Sequence, residues 1–86
     1  MKAFNTISYA VMANPVVNGE PVTMFYCGDD SAAKKVAHQL ATELGFNAVD
    51  AGPLTQARVL DPFALLWISL AFQQGFGPHW GFKLLR

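Results

Sequence analysis

Residues 22–50 read VTMFYCGDDSAAKKVAHQLATELGFNAVD, and the fold is decided in this stretch. It opens with a β-rich run from Val22 to Cys27, bounded by Pro21 and Gly28. The run is apolar at almost every position rather than at every second one, which suits an interior strand of a parallel sheet covered on both faces. Asp29 and Asp30 follow, and either can cap a helix by accepting a bond from a free backbone N–H. From Ser31 to Leu44, a helical stripe of Ala33, Val36, Ala37, Leu40 and Leu44 faces away from Lys34, Lys35, His38, Gln39 and Glu43. Gly45 suits the left-handed stop, and Phe46 is placed to fold back onto the helix. A strand over 46–50 completes a βαβ unit, with parallel strands and a right-handed crossover.

Upstream, residues 2–6 read as a short strand, and a weak helical turn from Tyr9 to Ala13 is stopped by Asn14-Pro15. Residues 16–21 read as a loop with Asn18-Gly19 supplying its turn. Downstream, Ala51-Gly52-Pro53-Leu54 is a turn, and Thr55 can cap a mostly apolar C-terminal helix over about 55–74, bent or restarted at Pro62. The second half of that helix is apolar all round, which asks for cover on every side. Residues 75–82 are too rich in glycine and aromatic rings for a helix and read as an irregular, packed tail.

Composition narrows the function classes. Apolar residues make up 52% of the 86 and charged ones 14%, against a usual charged share of about 25%. A disordered tail is thereby excluded. Six basic and six acidic side chains cancel, so no field draws in nucleic acid. A lone Cys27 excludes an internal disulfide. The opening residues lack the apolar run of a signal peptide. The longest apolar stretch, residues 63–72, falls well short of the roughly 20 residues that a membrane span needs. A cytoplasmic protein with no membrane partner is expected. A domain this small buries only about 60% of its unfolded surface and needs polar cover for the rest. This chain is short of that cover, as expected of part of a larger assembly or of a homo-oligomer.

No catalytic constellation is visible. Cys27, His38 and His79 do not pair at metal-ligand spacing, so no metal is expected. Ser8, Ser31 and Ser69 lack a nucleophile elbow. His38 reads as a solvated residue of the charged helix face, and Met24, Tyr26, Trp67 and Phe72 read as core. Gly75-Phe76-Gly77 holds a G-x-G without the strand and helix that phosphate binding requires. Strand ends offer the better lead, because parallel α/β sheets bind ligands outside their carboxyl ends. Asn5-Thr6, residues 28–30 and residues 50–54 occupy such ends. Asn5 and Thr6 bring an amide and a hydroxyl that can orient a ring carboxamide or a sugar. Gly52 and Pro53 let the backbone approach a flat ligand closely.

Several motifs occur together and in order: Lys2-Ala3-Phe4-Asn5-Thr6-Ile7, Met12-Ala13-Asn14-Pro15, Phe25-Tyr26-Cys27-Gly28-Asp29-Asp30, Asp50-Ala51-Gly52-Pro53-Leu54 and Ala57-Arg58. Leu66-Trp67-Ile68 and Phe82-Lys83-Leu84-Leu85-Arg86 extend them. With these motifs the chain resembles the C-terminal part of the NADP-dependent dinucleotide-binding oxidoreductases related to the NADPH:coenzyme F-420 reductases. The oxidoreductase domain of the STEAP metalloreductases is similar. The resemblance implies an α/β fold with a partial Rossmann-type sheet, residues 1–86 forming the C-terminal half of a dinucleotide-binding oxidoreductase. It implies hydride transfer between NADPH and coenzyme F-420 or a flavin. It further implies that Asn5 and Thr6 bind the nicotinamide end of the cofactor and that Gly52, Pro53 and Leu54 line the acceptor side. The family's glycine-rich nucleotide-binding half has no counterpart in these residues, so neither cofactor is expected to bind tightly to this chain alone. A separate nucleotide-binding half or a second copy is the expected partner. The alternative is a non-enzymatic, self-associating α/β interaction module. A peripheral membrane role ranks last, because residues 63–72 carry no basic face.

Overall fold

The computed structural model describes residues 2–3 and 9–85, with the backbone alone for Tyr9 and Ala10. In chain order the elements are β1 (Lys2–Ala3), α1 (Tyr9–Ala13), β2 (Val16–Val17), β3 (Glu20–Pro21), β4 (Thr23–Cys27), α2 (Ser31–Leu44), β5 (Asn47–Asp50) and α3 (Ala57–Ile68). A 3-10 turn, Leu54–Gln56, leads into α3, and a π-helical turn, Ser69–Gln73, continues it.

The βαβ unit is present. β4 pairs with β5 in parallel, Thr23 opposite Asn47 and Tyr26 opposite Asp50, and lies in the middle of a sheet ordered β1-β4-β5. Alternation along β4 sends Met24 and Tyr26 to one face and Thr23, Phe25 and Cys27 to the other. The first face holds the core of Val11, Val22, Met24, Ala41 and Phe46, roofed by α2. On the second, Phe25 meets Phe63 of α3 edge-on at 5.7 Å, and Phe63 packs on Phe82 of the tail at 4.6 Å. Thr23, 2% exposed, is the polar residue in this interior. Its hydroxyl oxygen accepts from Asn47 Nδ2 at 3.1 Å and from the Leu84 amide at 2.9 Å, which satisfies it.

Asp30 is the cap of α2, its carboxylate accepting from the Ala32 and Ala33 amides. Gly45, at φ 102°, ends the helix in the left-handed conformation, and Phe46 folds back into the core as expected. The tail is irregular and packed. Trp67 and Trp80 stack at 5.0 Å, and Trp80 Nε1 donates to the Gly77 carbonyl at 2.6 Å.

Five local expectations are corrected. Residues 16–21 form a small hairpin rather than a loop, Val16 opposite Pro21, with Asn18 and Gly19 both at positive φ. This is the turn geometry that matches strand twist. β1 runs antiparallel to β4, Lys2 opposite Cys27 and Ala3 opposite Tyr26. The carboxyl end of β1 therefore leads away from the rim where β4 ends. The buried stripe of α2 is Ala37 and Ala41, whereas Val36 (66%), Leu40 (46%) and Leu44 (45%) are exposed. Small side chains let the helix lie close on the sheet, and the bulkier residues fall outside the contact. Pro53, not Thr55, stands at the start of the 3-10 turn, without a side-chain capping bond. Its ring already fixes the φ that a helix start needs. Finally, of the two expectations at Pro62, bend or restart, the restart is corrected: α3 is one helix through Pro62. Of α3 and its extension, Leu60, Trp67 and Ala71 form the buried stripe, while Leu65, Ile68 and Phe72 are exposed on the opposite side.

Candidate functional site

Where β4 and β5 end, two loops are knitted into one rim. The Gly28 amide donates to the Gly52 carbonyl at 3.1 Å, and the Ala51 amide to the Tyr26 carbonyl at 2.7 Å. Asp29, left free by Asp30's capping role, accepts from the Leu54 amide at 3.0 Å. Asp50 accepts from the Gly52 amide at 2.8 Å, a local turn of the kind aspartates favour. Gly52 sits at φ 114°, where a side chain is strained. A Cβ there also stands 3.3 Å from Gln56 Cγ. The backbone is thus presented bare at this point.

The Lys34 ammonium lies against the inner side of the rim, 2.9 Å from Asp50 Oδ1, and donates to the Gly52 carbonyl at 3.1 Å. The Lys34 hydrogen bond, followed by that from the Gly52 amide, holds the Asp50 carboxyl below the usual carboxylate range. Beside this pair, Tyr26 Oη and His38 Nδ1 are hydrogen-bonded at 2.8 Å. Burial pushes the Tyr26 hydroxyl up, and the Asp50 charge adds to that effect while Lys34 opposes it. A hollow of about 420 Å³ opens here, bordered by Ser31, Lys35 and Gln39 as well. On the other side of the sheet, Phe25, Ala51, Gln56, Val59, Leu60 and Phe63 bound an apolar depression of about 220 Å³.

Of the residues singled out by sequence, Gly52, Pro53 and Leu54 lie together on the rim, with Leu54 42% exposed. Asn5 and Thr6 lie outside the described residues. Lys34, Asp29 and the Tyr26–His38 pair were missed as structural partners. The one signal for Lys34 and His38 was their i, i+4 spacing on one helix face, which a solvated face shares. No group of three potential metal ligands occurs among the described residues. No described helix is long and apolar enough to cross a membrane. Cys27 is buried and free.

An α/β layer with helices on both faces and a bare-backbone turn at the strand ends defines a Rossmann-type sheet fragment. The F420-dependent NADP reductase of Methanocaldococcus jannaschii is 32% identical over 71 residues, 81% of this chain and 31% of that protein. A crystal structure from Arthrobacter sp. FB24, of a protein provisionally assigned as an F420-dependent NADP reductase, matches with a TM-score of 0.86 and 31% identity. That match covers 99% of this chain and 39% of the other. No family model matches the chain. In sequence and fold, this chain matches the C-terminal part of these NADP-dependent oxidoreductases, as its motifs imply. It spans about a third of their length, 31% of the first and 39% of the second.

Proposed function

We propose that this chain forms the acceptor side of an NADP-dependent oxidoreductase that passes hydride between NADPH and a deazaflavin or flavin-type ring. The observation that carries this reading is the superposition of nearly the whole chain on the Arthrobacter structure, at a TM-score of 0.86. Gly52, Pro53 and Leu54 line the acceptor side; the assignment of Asn5 and Thr6 to the nicotinamide end rests on the motif resemblance alone, because β1 runs antiparallel to β4 and both residues lie outside the described ones. When bound, the cofactors supply the hydride chemistry itself. What the chain supplies is orientation and exclusion of water, which need no acid, base or nucleophile.

The two cofactors fit these residues unequally. The bare backbone at Gly52 and the apolar depression beside Phe25 and Phe63 suit the edge of a flat ring. The pyrophosphate of a dinucleotide finds no cradle among the described residues. The G-x-G of Gly75-Phe76-Gly77 lies in the irregular tail, with no helix after it. NADPH therefore requires a nucleotide-binding half, in a cytoplasmic assembly with this one. The exposed stripe of Leu65, Ile68 and Phe72 is the surface available for that half. The same stripe favours the second reading, in which a second copy covers it and the chain is an interaction module.

Titration of coenzyme F-420 into the isotope-labelled chain, followed through backbone amide shifts, tests the first reading. Weak binding with perturbations at Gly28, Gly52, Leu54 and Val59 is expected. A folded chain whose rim amides stay unmoved at saturating coenzyme overturns it.

A further inference from the structure

The rim turn has few anchors within residues 52–54 themselves. Gly52 lacks a side chain, Pro53 lacks an N–H, and Leu54 is half exposed. Asp29 holds the Leu54 amide, the Gly28 amide reaches the Gly52 carbonyl at 3.1 Å, and Lys34 adds the side-chain cation. Its ammonium meets the Asp50 carboxylate at 2.9 Å and the Gly52 carbonyl at 3.1 Å, while Asp50 takes the Gly52 amide at 2.8 Å. One cation thus ties both polar groups of Gly52, one directly and one through Asp50. The Lys34 side chain is 18% exposed, unusually covered for a lysine on a charged helix face. Its backbone is fixed too, since the Lys34 amide donates to the Asp30 carbonyl at 3.0 Å in the first turn of α2. An ordinary surface ion pair contributes little because two long side chains must be ordered for it. Here the Asp50 side chain is already set by the turn, and the lysine has a backbone acceptor as well.

We infer that Lys34 is a positioning residue: through Asp50 and the Gly52 carbonyl it sets the conformation of the Gly52–Leu54 turn that receives the acceptor ring. The inference rests on the proposed function for its ligand, but its geometry can be tested separately. The groups facing Asp50 are Lys34, Lys35 and His38 from α2 and Tyr26 from β4. Of these, Lys34 makes the contact.

Because the Gly52 amide donates to Asp50, its proton shift reports the ionisation of that carboxyl. The experiment records this shift against pH in the unchanged chain, Lys34→Met and Lys34→Arg, then titrates each with riboflavin. Riboflavin is uncharged, so losing a cation cannot weaken it by simple attraction. In Lys34→Met the Gly52 step is expected to move to higher pH. Riboflavin affinity should fall about five-fold, and Lys34→Arg should recover part of both. A folded Lys34→Met with an unmoved Gly52 step overturns the clamp. A moved step with unchanged riboflavin affinity overturns the positioning role and leaves the acceptor reading standing. If the unchanged chain does not bind riboflavin, that counts against the acceptor reading, and the Gly52 step alone then decides the clamp.

Discussion

Asp50 and Gly52 show how much of the rim depends on single groups. The Asp50 carboxyl is held below its ordinary value by Lys34 first and by the Gly52 amide second. A carboxyl lowered on folding adds stability that is complete above its unfolded pKa, about 3.9, and is lost as pH falls through the folded value. The difference in urea midpoint between the unchanged chain and Asp50→Asn should therefore be largest near pH 6 and shrink below about pH 4. A difference that is constant with pH contradicts this. Gly52→Ala places a side chain at φ 114° and should cost about 1–3 kcal/mol in urea unfolding. At this scale the sequence showed which residues make the turn. It did not show what holds them, because Lys34 and Asp50 are 16 positions apart and meet only once α2 packs against β5.

Among the elements, α2 separates apparent from actual burial. Periodicity identified the helix and both its ends, since capping and the glycine stop are local chemistry. It could not choose between two neighbouring apolar stripes, because that depends on how closely the helix lies on the sheet. Ala41→Leu should overpack the contact and cost about 1–3 kcal/mol, whereas Leu40→Ser should change stability by no more than about 0.5 kcal/mol. Equal effects from the two substitutions, measured by thermal unfolding, would place the helix wrongly. The direction of β1 was illegible for a related reason. Two described residues, Lys2 and Ala3, look alike in a parallel or antiparallel ladder, and only the pairing with Cys27 and Tyr26 decides. α3 tolerates Pro62 because a proline there forfeits one backbone bond, while the Leu60–Trp67–Ala71 stripe still packs.

For the molecule as a whole, the central feature is an apolar C-terminal helix covered on one side. Composition anticipated a shortage of polar cover, and it falls on α2 at Val36, Leu40 and Leu44 and on α3 and its extension at Leu65, Ile68 and Phe72. Sequence alone read Trp67 and Phe72 alike as core; Trp67 is, at 6% exposed and stacked on Trp80, but Phe72 is 68% exposed and is corrected to a surface residue. Leu65→Ser with Phe72→Ser should keep the fold and abolish association, read by light scattering of the chain with and without a nucleotide-binding half. The account is tested most directly by mixing the purified chain with the nucleotide-binding half of the Methanocaldococcus jannaschii reductase and following NADPH oxidation coupled to reduction of coenzyme F-420. Hydride transfer with both parts, and with neither alone, is the expected result. A complex that forms and binds NADPH yet reduces no coenzyme would contradict it.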